Sequence, residues 1–102
     1  MKLVWSEPAL ADIESIRDYI RRDSEFYAGR FVNRIIEAVE SLAELSARGR
    51  LVPEADDPNT KELLFQNYRI MYRIESAQII ILAIVHAARD WAKKDVKPWG
   101  AT

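Results

Sequence analysis

The chain has 102 residues, of which 49% are hydrophobic and 30% charged, and it carries a formal net charge of −1. This composition is typical of a small folded protein, so we expect residues 1–102 to form one domain. No apolar run reaches the ~20 residues that a membrane-spanning helix needs, and residues 1–7 do not resemble a signal peptide, so we expect a cytoplasmic protein with no membrane contact. Cysteine is absent and there is a single histidine, which excludes disulfides, thiolate sites and multi-histidine metal sites; we expect neither a cofactor nor a metal.

The charge is distributed unevenly along the chain. Residues 1–58 contain 8 Lys and Arg against 12 Asp and Glu, whereas residues 59–102 contain 7 against 4. Because phosphate contacts come from clustered Lys and Arg, any surface that binds a polyanion is expected in the second half.

The first half predicts a short strand followed by two helices. Residues 3–5 are β-prone, and Ser6 with Pro8 is typical of a helix N-terminus. The apolar positions of the first helix are Leu10, Ile13, Ile16 and Ile20, and its acidic residues Asp12, Glu14 and Asp18 are assigned to a solvated face.

Asp23 or Ser24 is expected to cap the second helix. This helix is predicted to end near Arg48-Gly49, with Gly49 in the left-handed conformation. The short connection between the helices predicts an antiparallel pair.

The second half predicts a loop and an antiparallel meander. Two prolines and several acidic or Asx residues predict an irregular loop over residues 50–59. Strands are predicted over residues 61–65, 68–74 and 78–86, joined by short turns. Residues 79–85 are apolar at every position, which is typical of a strand covered on both faces.

Alternation along the middle strand predicts two unlike sheet faces. Tyr68, Ile70, Tyr72 and Ile74 should face the helices, and Arg69, Met71 and Arg73 the other side. Because the helices cover one side only, Met71 and part of the last strand are expected to leave apolar surface for a partner. Residues 90–98 are expected to form a short basic tail.

This order of segments resembles the RelE/ParE superfamily of bacterial toxins. The stretches that carry the resemblance are Val4-Trp5-Ser6 with Pro8-Ala9-Leu10-Ala11-Asp12-Ile13, Tyr19-Ile20, Gly49-Arg50-Leu51-Val52-Pro53-Glu54, Lys61-Glu62-Leu63, Asn67-Tyr68-Arg69-Ile70-Met71-Tyr72-Arg73-Ile74 and Ile84-Val85-His86-Ala87-Ala88-Arg89. The resemblance implies an α+β, βααβββ fold in which a helical hairpin packs on one face of a small, mainly antiparallel sheet. It also implies the toxin of a type II toxin–antitoxin pair, neutralised in a hetero-oligomer by a ParD-like or RelB-like antitoxin.

The superfamily has two activities on one fold. RelE-like members cut messenger RNA in the ribosome, and ParE-like members poison DNA gyrase. A metal-independent RNase needs a base, an acid and several cations. The candidates for catalysis are Arg69, Arg73, His86 and Arg89, with Arg50 and Lys61 as further cations and Glu54 as a base.

Each candidate also has a structural interpretation. Arg69 and Arg73 could pair with a cross-strand acid such as Glu62, and His86 could be a packed, hydrogen-bonded residue. Arg89 could bind a helix end or the Glu54 loop, and Trp91 could cover the edge of the core.

The net charge of −1 gives little help in approaching ribosomal RNA, so gyrase is the favoured target and the ribosome with mRNA the alternative. A non-toxic, antitoxin-binding member is a further alternative. The residues expected to contact the antitoxin or the target are Arg50, Arg69, Met71, Arg73, Arg89, Trp91, Lys93 and Lys94, and the segment from Arg89 to Trp99 is the expected gyrase contact.

Overall fold

A computed structural model describes residues 1–88 and 97–100, which form a helical hairpin packed on a five-stranded sheet. The elements are β1 (Lys2–Trp5), α1 (Glu7–Arg21), α2 (Glu25–Glu40), β2 (Arg50–Leu51), β3 (Thr60–Phe65), β4 (Tyr68–Ile74) and β5 (Gln78–His86). Short 3-10 turns cover Ser41–Ala43, Ser46–Arg48 and Pro98–Gly100. The predicted α+β class and the βααβββ order are confirmed, with β2 added.

Both helices begin where a serine side chain caps them. The Ser6 hydroxyl accepts the Ala9 N–H at 3.2 Å, and the Ser24 hydroxyl accepts the Tyr27 N–H at 3.1 Å. Each bond satisfies a backbone donor that the first helical turn leaves unpaired. Of the two caps considered for α2, Ser24 is the one used.

The sheet has the strand order β1-β5-β4-β3-β2. Neighbouring strands are antiparallel except β1 and β5, which run parallel with Lys2 opposite Gln78 and Trp5 opposite Ile81. β4 and β5 have the predicted bounds, and their pairing shifts register between Met71 and Tyr72. β5 therefore lies between two strands, as its continuous apolar sequence predicted.

The larger core lies between the helices and one sheet face. Its fully buried members include Ala9, Ile35, Ile70 and Ile81, each 0% exposed. Leu10, expected in this core, is 49% exposed. Ile13 and Ile16 are buried as expected, and Ala9, four residues before Ile13 on the same helix face, takes the first buried position instead of Leu10.

The second sheet face is covered by the chain itself, which corrects an expectation. Met71 and Leu82 are fully buried in a cluster to which Val52 belongs, and Ala55 and Trp99 pack against it. The loop after β2 and the segment containing Trp99 therefore cover this face. Met71 is not an exposed apolar residue.

The end of α2 also differs from the expectation. α2 ends at Glu40, and two 3-10 turns precede Gly49, whose φ of −79° and ψ of 174° are extended. Gly49 is placed by Tyr72, whose buried hydroxyl accepts the Gly49 N–H at 2.9 Å and donates to the Ser46 carbonyl at 2.8 Å. A Cβ at Gly49 would lie 2.5 Å from the Glu62 carbonyl oxygen. Close approach, and not a left-handed turn, therefore requires a glycine here.

Within the described residues, none of the helices has the length and apolar character needed to cross a bilayer.

Candidate functional site

Four charged side chains form a network on the second sheet face. They are Arg50 on β2, Glu54 in the following loop, Glu62 on β3 and Arg69 on β4; we refer to them as the charge network. Two of the candidate cations and the candidate base therefore lie together, as members of ion pairs.

Arg69 is at the centre of the charge network. Its side chain is 8% exposed. Its Nε donates to Glu62 Oε1 at 2.6 Å, and its two terminal nitrogens donate to the Glu54 carboxylate at 3.0 and 2.8 Å. This paired geometry is the strongest arrangement available to an arginine and a carboxylate. The pairing with Glu62 is the cross-strand interaction anticipated from the sequence; the one with Glu54 was not anticipated.

Glu62 binds two arginines at once. Its side chain is 0% exposed, and its second oxygen accepts a hydrogen bond from Arg50 Nε at 2.9 Å. Arg50 lies directly opposite Glu62 in the β2–β3 pair and is itself 63% exposed. Arg50 is thus the second partner of a buried carboxylate, and it is placed by β2, where the sequence predicted the start of an irregular loop.

The charges in the network shift one another's pKa values. Hydrogen bonds from Arg69 are the main reason that the pKa of Glu54 lies below its ordinary value, and burial of Glu54 opposes them. Hydrogen bonding to Glu54 is the main cause that raises the pKa of Arg69. A carboxylate held as an ion in this way is a poor proton acceptor, so the geometry does not favour Glu54 as a general base.

A small open cleft of about 310 Å³ lies over the charge network. It is lined by Arg50, Pro53, Glu54, Glu62, Leu64, Arg69 and Ala87. Its two arginines are matched by two carboxylates, so the cleft has no excess positive charge for a phosphate.

Arg73 lies on the same strand as Arg69, opposite Thr60 of β3. Its Nε is 3.4 Å from Glu75 Oε2. The pKa of Asp57 is lowered mainly by hydrogen bonds from the Asn59 backbone and the Thr60 side chain, and the charge of Arg73 adds a smaller contribution. Arg73 thus has acidic neighbours of its own.

His86 lies on the opposite sheet face from Arg69. It pairs with Tyr68, which packs against the helix-side core, and the two rings contact each other edge to face at 5.5 Å. His86 Nδ1 accepts the Ala88 N–H at 3.1 Å, which leaves the proton of the neutral ring on Nε2. The sheet therefore separates two residues that were candidates to act together in the RNase alternative.

The larger concavity is a groove of about 710 Å³ between α1 and the end of β5. It is lined by Asp12, Ser15, Ile16, Tyr19, Asn67, Tyr68, Ile84, Val85 and His86. β1 stops opposite Ile81, so among the described strands none continues beside residues 82–86 on this side of β5.

Asp12 supplies a hydrogen-bond acceptor to this strand edge, a role that was not predicted from the sequence. Its carboxylate accepts the Ile84 N–H at 2.9 Å, and burial raises its pKa, opposed by that hydrogen bond. The sequence pattern placed Asp12 on a solvated helix face, but it is half-buried. The only available signal was that the predicted first strand is much shorter than the last.

The structure describes only some of the residues that were predicted to contact the antitoxin or the target. Arg89, Trp91, Lys93 and Lys94 lie outside the described residues. Arg50, Arg69 and Arg73 are paired with carboxylates and Met71 is buried. Within residues 1–88 and 97–100, no three His, Asp or Glu side chains are grouped so as to hold a metal ion.

Comparison with known proteins identifies a family. Residues 3–91 match the family model described as the ParE toxin of the type II toxin–antitoxin system, parDE. The Toxin RelE2 of Caulobacter vibrioides is 39% identical over 89 residues, which are 86% of this chain and 97% of that protein. The Putative toxin Y4kP of Sinorhizobium fredii is 37% identical over 92 residues, covering 88% and 92% of the two chains.

A solved structure has the same fold. A chain of the chromosomal ParDE TA system from P. aeruginosa superposes with a TM-score of 0.72 and 27% sequence identity, covering 84% of this chain and 95% of that one.

Proposed function

We propose that this chain, which belongs to the ParE toxin family of type II toxin–antitoxin systems, inhibits growth by binding DNA gyrase and is neutralised by an antitoxin. The proposal assigns the toxic effect to contact with a protein, without a catalytic residue in this chain.

The hydrogen bonds and the burial of Arg69 are the main support for the proposal. A metal-independent RNase needs cations that stabilise a phosphorane as its negative charge develops. Arg69 already donates three hydrogen bonds to two carboxylates and is almost fully buried. Moving it to a phosphate would leave the fully buried Glu62 with only Arg50, which is costly. A structural role therefore suits Arg69 better than a catalytic one.

The distribution of the other candidates supports the same function. His86 and Arg69 lie on opposite faces of the sheet, so they do not converge on one scissile phosphate. The net charge of −1 gives weak attraction to ribosomal RNA. A target bound as a folded protein requires neither convergence nor strong positive charge.

The groove between α1 and β5 is the best available position for the antitoxin. It is concave, it is about 710 Å³ in volume, and it is flanked by the strand edge beyond Ile81. An extended or helical segment that orders on contact, as a ParD-like or RelB-like tail would, fits such a groove. The resemblance to a chain of a ParDE system supports a hetero-oligomer of this kind.

Cleavage of messenger RNA in the ribosome is the second candidate. It is favoured by the 39% identity to a relative named Toxin RelE2. Under this alternative, the catalytic groups would be Arg73, His86 and Arg89 together with a displaced Arg69.

The test measures both activities side by side. Purified chain is added to a gyrase supercoiling reaction and to a coupled translation reaction, each with and without the antitoxin. We expect blocked supercoiling, normal translation and restoration by the antitoxin. Blocked translation with intact supercoiling would establish the ribosomal alternative, and loss of neither activity would indicate a non-toxic, antitoxin-binding protein.

A further inference from the structure

We propose that the tip of the α1–α2 hairpin is a contact surface for an acidic face of the target protein. This inference rests on the proposed function, in which the target is gyrase. The hairpin-tip surface consists of Tyr19 and Arg22 at the end of α1, and Phe26, Tyr27 and Arg30 at the beginning of α2.

Exposed aromatic side chains are concentrated at this tip. Tyr19 is 66% exposed, Phe26 74% and Tyr27 54%. Within residues 1–88 and 97–100 these are the aromatic residues among the large exposed hydrophobic side chains. Single exposed apolar residues are ordinary on a protein surface, whereas three exposed aromatic rings within nine residues around one turn are a local concentration.

Arginines accompany the rings. The Arg22 guanidinium lies over the Tyr19 ring at 6.0 Å from its centroid, and that of Arg30 lies over Phe26 at 5.8 Å. Residues 17–34 contain five arginines against three carboxylates, in a protein of net charge −1. Tyrosine and arginine are enriched among the side chains that dominate protein–protein affinity. This positive excess favours a partner surface that is acidic.

The tip is held in one conformation before any partner binds. The N–H groups of Asp23 and Ser24 donate to the Ile20 carbonyl at 3.0 and 3.1 Å, and Ser24 caps α2. Tyr27 also contacts the buried Phe31 at 6.1 Å between ring centroids. A turn whose backbone is already ordered loses less conformational entropy on binding.

The shape of the tip favours a folded partner. Side chains that are 54–74% exposed protrude, so they fit a depression on another protein better than they hold a flexible tail. The concave groove beside β5 is the better place for such a tail. The excess of two positive charges is small for a nucleic acid, whose binding depends on many phosphate contacts, whereas exposed aromatic rings with arginines suit a protein face.

The experiment removes the most exposed ring and the charges separately. One variant is Phe26→Ala, and the other is Arg22→Glu with Arg30→Glu; Tyr19 stays unchanged because it also lines the groove assigned to the antitoxin. Leu10→Ala and Lys2→Glu are the controls, because both residues are exposed and lie outside the hairpin-tip surface, Leu10 in the first turns of α1 and Lys2 at the start of β1. Each full-length chain is tested for inhibition of gyrase holoenzyme, for antitoxin binding, for duplex DNA binding without gyrase and for its unfolding midpoint.

We expect both tip variants to need about tenfold more chain, or more, for half-inhibition of supercoiling, with antitoxin binding, unfolding midpoint and both controls unchanged. Undiminished inhibition by both tip variants would overturn the inference while leaving the proposed function intact. Loss of antitoxin binding with inhibition retained, or tip-dependent binding of bare DNA, would also overturn it. If the wild-type chain does not inhibit gyrase, the proposed function fails and this inference fails with it.

Discussion

Arg69 shows how a single side chain decides between a catalytic and a structural interpretation. Its guanidinium compensates a carboxylate, Glu62, that is 0% exposed, and it also holds Glu54 of the loop that covers Met71. A buried charge that loses its partner is far more costly than the ion pair itself is stabilising. A loss of toxicity on substituting Arg69 therefore has to be separated from a loss of folding.

We expect Arg69→Ala to lower the free energy of unfolding by about 3–5 kcal/mol, because it leaves Glu62 buried beside Arg50 alone. Urea denaturation measures this loss. Arg69→Met combined with Glu62→Leu removes both buried charges and is expected to recover most of the stability. If the single and the double variant are equally unstable, the ion pair itself stabilises the fold, and the charge left unpaired on Glu62 is not the cause of the loss.

Glu54 makes the stability of the chain depend on pH on the acid side. Its pKa is lower in the folded chain than in the unfolded chain, mainly through the hydrogen bonds from Arg69. Its contribution is therefore present above the ordinary pKa of a glutamate and is lost as the pH falls through the lowered value. We expect Glu54→Gln to flatten this acid slope, measured as the melting temperature between about pH 3 and pH 7.

Glu14→Gln is the control for this prediction, since it removes one charge from an exposed position on α1. A slope that is reduced equally by both substitutions would assign the effect to net charge and not to the Arg69 contact.

At the level of the elements, the two serine caps are alike in sequence but differ in what they bind. The Ser24 hydroxyl binds only its own helix among the bonds described, whereas the Ser6 hydroxyl also donates to the Leu82 carbonyl of β5 at 3.1 Å. Ser6 therefore joins α1 to the sheet at the position where β1 ends.

We expect Ser24→Ala to cost about 1 kcal/mol of stability, which is the usual effect of losing a cap. Ser6→Ala is expected to cost about 2 kcal/mol, because the buried carbonyl of Leu82 loses a donor as well. Parallel chemical denaturation of the two variants measures the difference. Equal losses would mean that the bond to Leu82 contributes nothing.

The elements also show what could be predicted from the sequence. β4 and β5 were predicted with their observed bounds because the alternation of β4, the continuous apolar run of β5 and the short turn between them are local signals. The end of α2 was not predicted correctly, because Gly49 is placed by a hydrogen bond to Tyr72, which is 23 residues away in the chain. β2 was missed for a similar reason, since two residues carry no periodicity and its pairing with β3 is a tertiary contact.

The same distinction applies to the candidate site. Cross-strand pairing of Arg69 with Glu62 follows from neighbouring strands and was anticipated. The roles of Glu54 and Asp12 depend on how a loop and a helix lie against the sheet, which no local pattern specifies.

On the scale of the whole molecule, both faces of the sheet are covered, one by the helices and the other by the loop after β2 and by Trp99. A deletion at the C-terminal end therefore does more than remove a possible target contact. It also uncovers Met71 and Leu82, which are fully buried.

We expect Trp99→Ala to lower the free energy of unfolding by about 1–3 kcal/mol, since Trp99 is only partly buried. Removal of residues 93–102 should cost at least as much and should increase the binding of a hydrophobic dye. Lys93→Glu with Lys94→Glu retains Trp99, so it tests the role of the basic segment without this loss. If the lysine variant is as unstable as the truncation, the covering role assigned to Trp99 is wrong.

The parallel pairing of β1 with β5 has a consequence for synthesis of the protein. The Ser6 hydroxyl and the Leu82 carbonyl that it meets are 76 residues apart in the chain. As the chain leaves the ribosome, β1 and the helical hairpin emerge long before the strand on which β1 must pair. Contacts of such long separation form late in folding. The nascent toxin therefore cannot complete its sheet until translation has almost finished.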